Sequence, residues 1–352
     1  MNNSKNISDL VRPNIRDLKP YSSARDEFRG EAAVFLDANE NPYPSPFNRY
    51  PDPLQLSLKT RISAIKKIPV EQMFLGNGSD EAIDLIIRAF CEPGRDTILI
   101  PEPTYGMYAV CAGVNDVQVK RVLLTEAYDI DMNAIQAAID ATTKIVFLCS
   151  PNNPSGNLLS KEPIIEFVEA FRGLVVIDEA YIDFAGDPGF ASMVDRYPNL
   201  VVLQTFSKAW GLAGLRLGMC FASEFIIGIL NKIKYPYNIS SQTQQLALQA
   251  LENEAQKNKW VKEILQERER LVLALGKLDC VSYVHPSDAN FVLVRVSNAA
   301  TLYKELMEAG TIVRDRSKVV LCENSLRITV GTPEENSLLI SQMKKLSSKE
   351  IT

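Results

Sequence analysis

A lysine, an aspartate, an asparagine and a tyrosine each stand just beyond an apolar run of this sequence. Lys208 follows Leu200–Leu203, Asp178 follows Leu174–Ile177, Asn153 follows Lys144–Cys149 and Tyr105 follows Thr97–Ile100. Such short apolar runs read as buried strands, and the carboxyl ends of strands are where an α/β sheet places its chemistry. The lysine stretch is the strongest signal. It reads Thr205-Phe206-Ser207-Lys208-Ala209-Trp210-Gly211-Leu212-Ala213-Gly214-Leu215-Arg216, a lysine beside a hydroxyl residue, then a glycine-containing loop that ends in arginine. Glycine lets backbone approach a ligand closely, and Ser207 with Arg216 suits an anion such as phosphate. These residue types fit a lysine that forms a Schiff base with a phosphorylated aldehyde, pyridoxal phosphate. For this loop alone, a surface lysine after a strand is the plain alternative.

Around a pyridine ring the other residues have tasks. Asp178 beside the ring nitrogen would keep it protonated, a charge-assisted bond of about 1.5–3 kcal/mol. Asn153 and Tyr181 can both hydrogen-bond a phenolic oxygen, and Tyr105 can stack on the ring face. Gly76-Asn77-Gly78-Ser79-Asp80-Glu81 adds a glycine-rich loop feeding a helix, a cup of backbone N–H groups for an anion. Ser79 is expected as the N-cap, with Asp80 and Glu81 in the first turn. Gly78, Ser79, Ser207 and Arg216 would then hold the phosphate. Singly, each has a blander reading: Asp178 as a magnesium ligand, Asn153 as a turn former, Tyr105 as loop packing. A dinucleotide fingerprint fits poorly, because Glu81 replaces its third glycine and no strong strand leads directly into the loop; there is no G-x-x-x-x-G-K-[ST] loop either.

The elements that must position these groups alternate. Strands at 97–100, 144–149, 174–177, 200–203 and 217–222 are interleaved with helical patterns such as 54–67, 163–171 and 83–90, where Ile83, Ile86, Ile87 and Phe90 fall on one face. Alternating strands and helices mean βαβ units and a mostly parallel sheet, an α/β fold. From about Ser240 the character changes. A long or broken helix over 244–275 precedes strands at 291–296, 311–313 and 326–330 and a helix at 299–308. A capping box, Thr332-Pro333-Glu334-Glu335, opens the last helix. The expected organisation is an N-terminal arm (1–38), a large domain (39–240) and a small α+β domain (241–352).

The 352 residues carry a net charge of −5, which argues against a nucleic-acid surface, so any anion must be caught by local arginines and N–H groups. Six scattered cysteines without a CxxC pattern read as core residues of a reducing compartment. The single histidine, His285, leaves a histidine-based triad or multi-histidine metal site one residue to build on, and its turn-like setting reads as structural. The start has no apolar signal core and no run approaches a membrane span. A cytoplasmic protein with neither a membrane nor a nucleic-acid partner is expected.

Ser150-Pro-Asn-Asn-Pro-Ser-Gly156, Asp178-Glu-Ala-Tyr181 and the stretch from Ser207 to Gly218 resemble the fold-type I pyridoxal-phosphate aminotransferases. Within that group Asn39-Glu-Asn-Pro42, Asn48-Arg-Tyr-Pro-Asp52, Gly78-Ser-Asp-Glu81, Pro103-Thr-Tyr-Gly-Met-Tyr108, Val313-Arg-Asp315 and Leu326-Arg-Ile-Thr-Val-Gly331 are similar to the blocks of the histidinol-phosphate aminotransferase family. Two departures are Ser155, where threonine is usual, and Trp210, where a smaller aromatic is common. The resemblance covers nearly the whole chain. It implies transamination between L-histidinol phosphate and 2-oxoglutarate, giving imidazole acetol phosphate and glutamate, in histidine biosynthesis. It also implies a homodimer in which Tyr50 reaches the partner's cofactor phosphate. Asp80 joins the cofactor site, Arg327 would bind the glutamate carboxylate or the substrate phosphate, Tyr21 and Arg314 would help the substrate phosphate, and Asn39 joins the substrate site. Rivals on the same scaffold are an aromatic-amino-acid aminotransferase and a phosphothreonine-type decarboxylase. From other classes, a cofactor-binding regulator lacks a DNA-binding module, and a dehydrogenase lacks the glycine fingerprint.

Overall fold

The computed structural model describes residues 6–20 and 34–347. Its larger sheet has seven strands: β1 (Met73–Asn77), β2 (Thr97–Glu102), β3 (Gln118–Leu123), β4 (Thr143–Cys149), β5 (Leu174–Asp178), β6 (Leu200–Thr205) and β7 (Leu217–Ala222). They lie in the order β1-β7-β6-β5-β4-β2-β3. The pairs from β6 to β3 are parallel, whereas β7 runs antiparallel to both neighbours. This places the carboxyl ends of β6, β5, β4 and β2 side by side along one edge.

The central strands carry continuous apolar runs, Ile145–Cys149, Leu174–Ile177 and Leu200–Leu203, because both faces are covered. Val146, Leu148, Val175, Ile177 and Val202 pack into one core, and Ile145, Phe147, Leu174, Val176 and Val201 into the other. Helix Gly78–Phe90 buries Ile83, Ile86, Ile87 and Phe90 on the second side. All six cysteines are buried and free.

The smaller sheet is antiparallel, with β8 (Val281–Val284), β9 (Phe291–Val296), β10 (Arg314–Asp315) and β11 (Ser325–Thr329) in the order β10-β11-β9-β8. It packs against helices Glu254–Leu275, Ala299–Glu308 and Pro333–Ser347 in a core of its own. The capping box forms as expected: Thr332 N donates to Glu335 Oε2 at 2.8 Å, and Glu335 N donates to Thr332 Oγ1 at 3.3 Å.

Several local expectations are corrected. A strand, β1, does lead directly into the Gly78 loop; it is short, and its partner β7 lies far away in sequence. The N-cap of the following helix is Asn77, and Ser79 sits inside the first turn. The pattern over 244–275 breaks into Ser241–Glu252 and Glu254–Leu275 at Asn253, a residue whose side chain competes with helical hydrogen bonding. No strand forms over 311–313; pairing is confined to Arg314 and Asp315 at the sheet edge. Within the arm, Ile7, Val11 and Ile15 are buried against the second core.

Candidate active site

The edge where four parallel strands end is where the chemical residues gather. Tyr105, Asn153 and Lys208 follow β2, β4 and β6 within a few residues, and Asp178 is the last residue of β5. The loop after β6 turns back directly into β7, with Gly211 and Arg216 at positive φ. Lys208 and Arg216 therefore stay at the same end of the sheet. β1 points the same way, so its chain continues as helix Gly78–Phe90 with its N-terminus beside Arg216. Gly78, Ser79, Asp80, Tyr105, Asn153, Asp178, Tyr181, Ser207, Lys208 and Arg216, joined by Cys149, Ala180 and Thr205, line one cleft with a cavity volume of about 100 Å³.

At the bottom of the cleft Asp178 is buried. Its Oδ2 accepts from the Tyr108 hydroxyl at 2.7 Å and its Oδ1 from Ala180 N at 3.1 Å. Burial pushes this carboxyl up to about 6, against the pull of the two donors. Lys208 Nζ lies 5.4 Å from the centre of the Tyr181 ring, and burial, then the Arg327 charge, lower its pKa. Asn153 Nδ2 donates to the Tyr181 hydroxyl at 3.3 Å, and Asn153 Oδ1 accepts from Arg327 Nη1.

The other end of the cleft is built for an anion. Arg216 lies 3.6 Å from Asp80, and Asp80 Oδ1 accepts from the Tyr105 hydroxyl at 3.1 Å. Asp80 thus lies between the Tyr105 hydroxyl and the Arg216 guanidinium. Gly78 has φ +71°, and a Cβ there would stand 2.8 Å from Arg216 Nη2. A Cβ on Gly218 would meet Gly78 C and Ser79 N at 2.3 Å. The helix start is pressed so closely onto β7 that only glycine fits. Helix-terminal N–H groups, two serine hydroxyls and Arg216 suit a phosphate. A buried carboxylate, an amide, a phenol and a desolvated lysine suit the ring and aldehyde, so the donor set fits pyridoxal phosphate.

The remaining expected residues lie apart. Arg327, on β11, reaches the cleft through Asn153, and Arg314 faces it in register from β10 with an exposed side chain. Tyr50 is 51% exposed and stacks on Tyr237 at 4.5 Å. Asn39 is exposed in the same loop region. Tyr21 lies outside the described residues.

The family model "Aminotransferase class I and II" matches residues 33–342. The chain belongs to this family. It is 55% identical to the histidinol-phosphate aminotransferase of Parabacteroides distasonis over 97% of its own length and 99% of that protein's. It is 56% identical to the Bacteroides fragilis protein of the same name, again covering 97% and 99%. The crystal structure of the histidinol-phosphate aminotransferase from Clostridium acetobutylicum superposes with TM-score 0.80 at 27% identity, covering 86% of this chain and 92% of that one.

For this aminotransferase the sequence left two buried groups without tasks. Tyr108, fully buried and stacked on Phe147 at 4.8 Å, holds Asp178. Its position three residues beyond Tyr105 on a helix was the available signal. Glu179 turns away from the cleft to accept from Phe190 N and from Gln204 Nε2, and burial pushes its carboxyl up to about 7.

Proposed function

We propose that the protein transfers the amino group of L-histidinol phosphate to 2-oxoglutarate, giving imidazole acetol phosphate and glutamate, a step of histidine biosynthesis, with pyridoxal 5′-phosphate as cofactor. The observation that carries this is the convergence of Lys208, Asp178, Asn153 and Tyr105 from four adjacent strand ends, in a chain more than half identical to named histidinol-phosphate aminotransferases.

When bound, the cofactor supplies an electron sink that makes the substrate α-C–H acidic. The chain's residues do the rest. Lys208 Nζ would anchor the cofactor and would take the proton from the substrate α-carbon. Its lowered pKa leaves more of it neutral and able to accept that proton. Asp178, held by Tyr108 and Ala180 N, would hold the ring nitrogen, and Asn153 with Tyr181, which bond each other, would hold the phenolic oxygen. Tyr105 would cover the ring. Gly78, Ser79, Ser207 and Arg216 would bind the phosphate, with Asp80 3.6 Å from Arg216. Arg327 and Arg314 serve the substrate's anionic groups, together with Asn39 and Tyr21.

We assign the larger sheet to a cofactor domain (39–240) and the smaller to a substrate-closing domain (241–352), with residues 1–38 as an arm. The protein is proposed to act as a cytoplasmic homodimer. Exposed Tyr43, Phe47 and Tyr50, at 78%, 59% and 51%, support such a surface, and Tyr50 would extend to the partner's cofactor phosphate. Among the described residues no helix is long and apolar enough to cross a membrane.

The test is steady-state transamination with 2-oxoglutarate as acceptor. Histidinol phosphate should exceed phenylalanine in kcat/KM by at least about tenfold, as expected where a built polar contact decides between substrates. Equal or better use of phenylalanine would make the protein an aromatic-amino-acid aminotransferase.

A further inference from the structure

Helix Glu254–Leu275 ends in the core of the smaller sheet, where Leu271 and Leu275 are buried. Its first half has other partners. Val261, Ile264 and Leu265 pack onto Tyr181, Phe184 and Ala209, which follow Asp178 and Lys208 in the chain. One turn before them stands Lys257, whose Nζ donates to Asp183 Oδ1 at 3.1 Å. The two side chains are 11% and 17% exposed, so the pair is largely out of water. The same ammonium lies 5.3 Å from the centre of the Trp210 ring. Trp210 is one of the two departures noted in the sequence. It is buried, with its ring 5.6 Å from that of Phe206. An ammonium between a carboxylate and an indole face is stabilised by both.

Both contacts lie two residues from a group of the cleft. Asp183 is two residues beyond Tyr181, in the 3₁₀ turn Ile182–Phe184. Trp210 is two residues beyond Lys208, in a loop closed by Gly211 N donating to Lys208 O and Leu212 N donating to Phe206 O, each at 3.0 Å. One cation therefore ties the segment that carries Lys208 to the segment that carries Tyr181.

We propose that Lys257 is a positioning residue for the reaction: it holds the Lys208 loop against the Tyr181 turn, so that the amine and the phenol keep one mutual geometry. The proposal rests on the function given above and adds what aligns its reacting groups. After burial, the charges that act most on Lys208 are those of Arg327, Asp178, Arg216 and Asp80. Lys257 works through the position of the loop, not through its field at Lys208. Misplacing a reacting group by about 1 Å can cost about 100-fold in rate.

The experiment compares the wild-type holoenzyme with Lys257→Met, Lys257→Arg and the double variant Lys257→Met/Asp183→Asn. In single turnovers with histidinol phosphate and with glutamate, Lys257→Met should lower the maximal rate about tenfold and leave the half-saturating concentration within about twofold. The pH midpoint of the holoenzyme's visible band, read without substrate, should rise by about half a unit or more. A phenolic oxygen that loses a hydrogen-bond donor holds its proton more tightly. Lys257→Arg should recover most of both. The double variant leaves no buried carboxylate unpaired, so its melting temperature should return towards wild type, while rate and midpoint stay displaced. A Lys257→Met variant that melts lower but keeps the wild-type rate and midpoint overturns the proposal, and so does a double variant that regains the rate. If Lys257→Met fails to fold, the double variant carries the same comparison. A wild type that does not use histidinol phosphate sinks the functional reading; the midpoint, read without substrate, then still decides for or against Lys257.

Discussion

Asp178 is a residue whose usefulness opposes its stability. Its carboxyl titrates at about 6 in the fold against an ordinary 3.8, so the folded state holds a proton that the unfolded state has released. Its contribution to stability therefore falls as pH rises from about 4 to about 6 and stays low above that. In the cofactor-free protein Asp178→Asn should remove this penalty, raising stability at pH 7 by up to about 3 kcal/mol while transamination is lost. Melting curves at pH 4.5 and 7 check it; Glu179, up to about 7, leaves a similar slope in both proteins. No relative gain at pH 7 would mean the buried carboxylate is better solvated than its setting implies. Tyr108→Phe keeps the stack on Phe147 but removes one of the two donors to Asp178. Asp178 then titrates higher, so kcat should fall about tenfold near pH 6.5, and the deficit should narrow as pH rises. A deficit independent of pH would reduce Tyr108 to packing. Lys208→Ala should fold and lose both half-reactions.

At the scale of elements, the anion end of the cleft depends on how closely helix Gly78–Phe90 meets β7. Gly218→Ala would drive a Cβ into backbone, at 2.3 Å from Gly78 C and Ser79 N. Pyridoxal phosphate affinity, read by equilibrium dialysis, should drop by tenfold or more, about 1.4 kcal/mol; unchanged affinity would show that the helix start can move without cost. This close approach also marks where sequence reading stopped. Strands buried on both faces betray themselves as continuous apolar runs, so β4, β5 and β6 and the residues at their ends were legible. β1 was not, because five residues including Gly76 carry too little pattern and its pairing is with β7, far away in sequence. Tyr108 was visible as a residue, but its bond to Asp178 crosses 70 positions.

For the whole molecule, the exposed aromatic surface around Tyr43, Phe47 and Tyr50 predicts a dimer in sedimentation. Phe47→Asp should give folded monomers with weakened cofactor binding; an active monomer would remove Tyr50 from the site. This one cleft accepts an amino group from a phosphorylated amine and passes it to an oxoacid. A single-turnover titration of the holoenzyme, followed by the visible absorbance of its cofactor, tests it most directly. One equivalent of histidinol phosphate per subunit should bleach the band, and 2-oxoglutarate should restore it. A band that ignores histidinol phosphate but responds to phenylalanine would contradict the account.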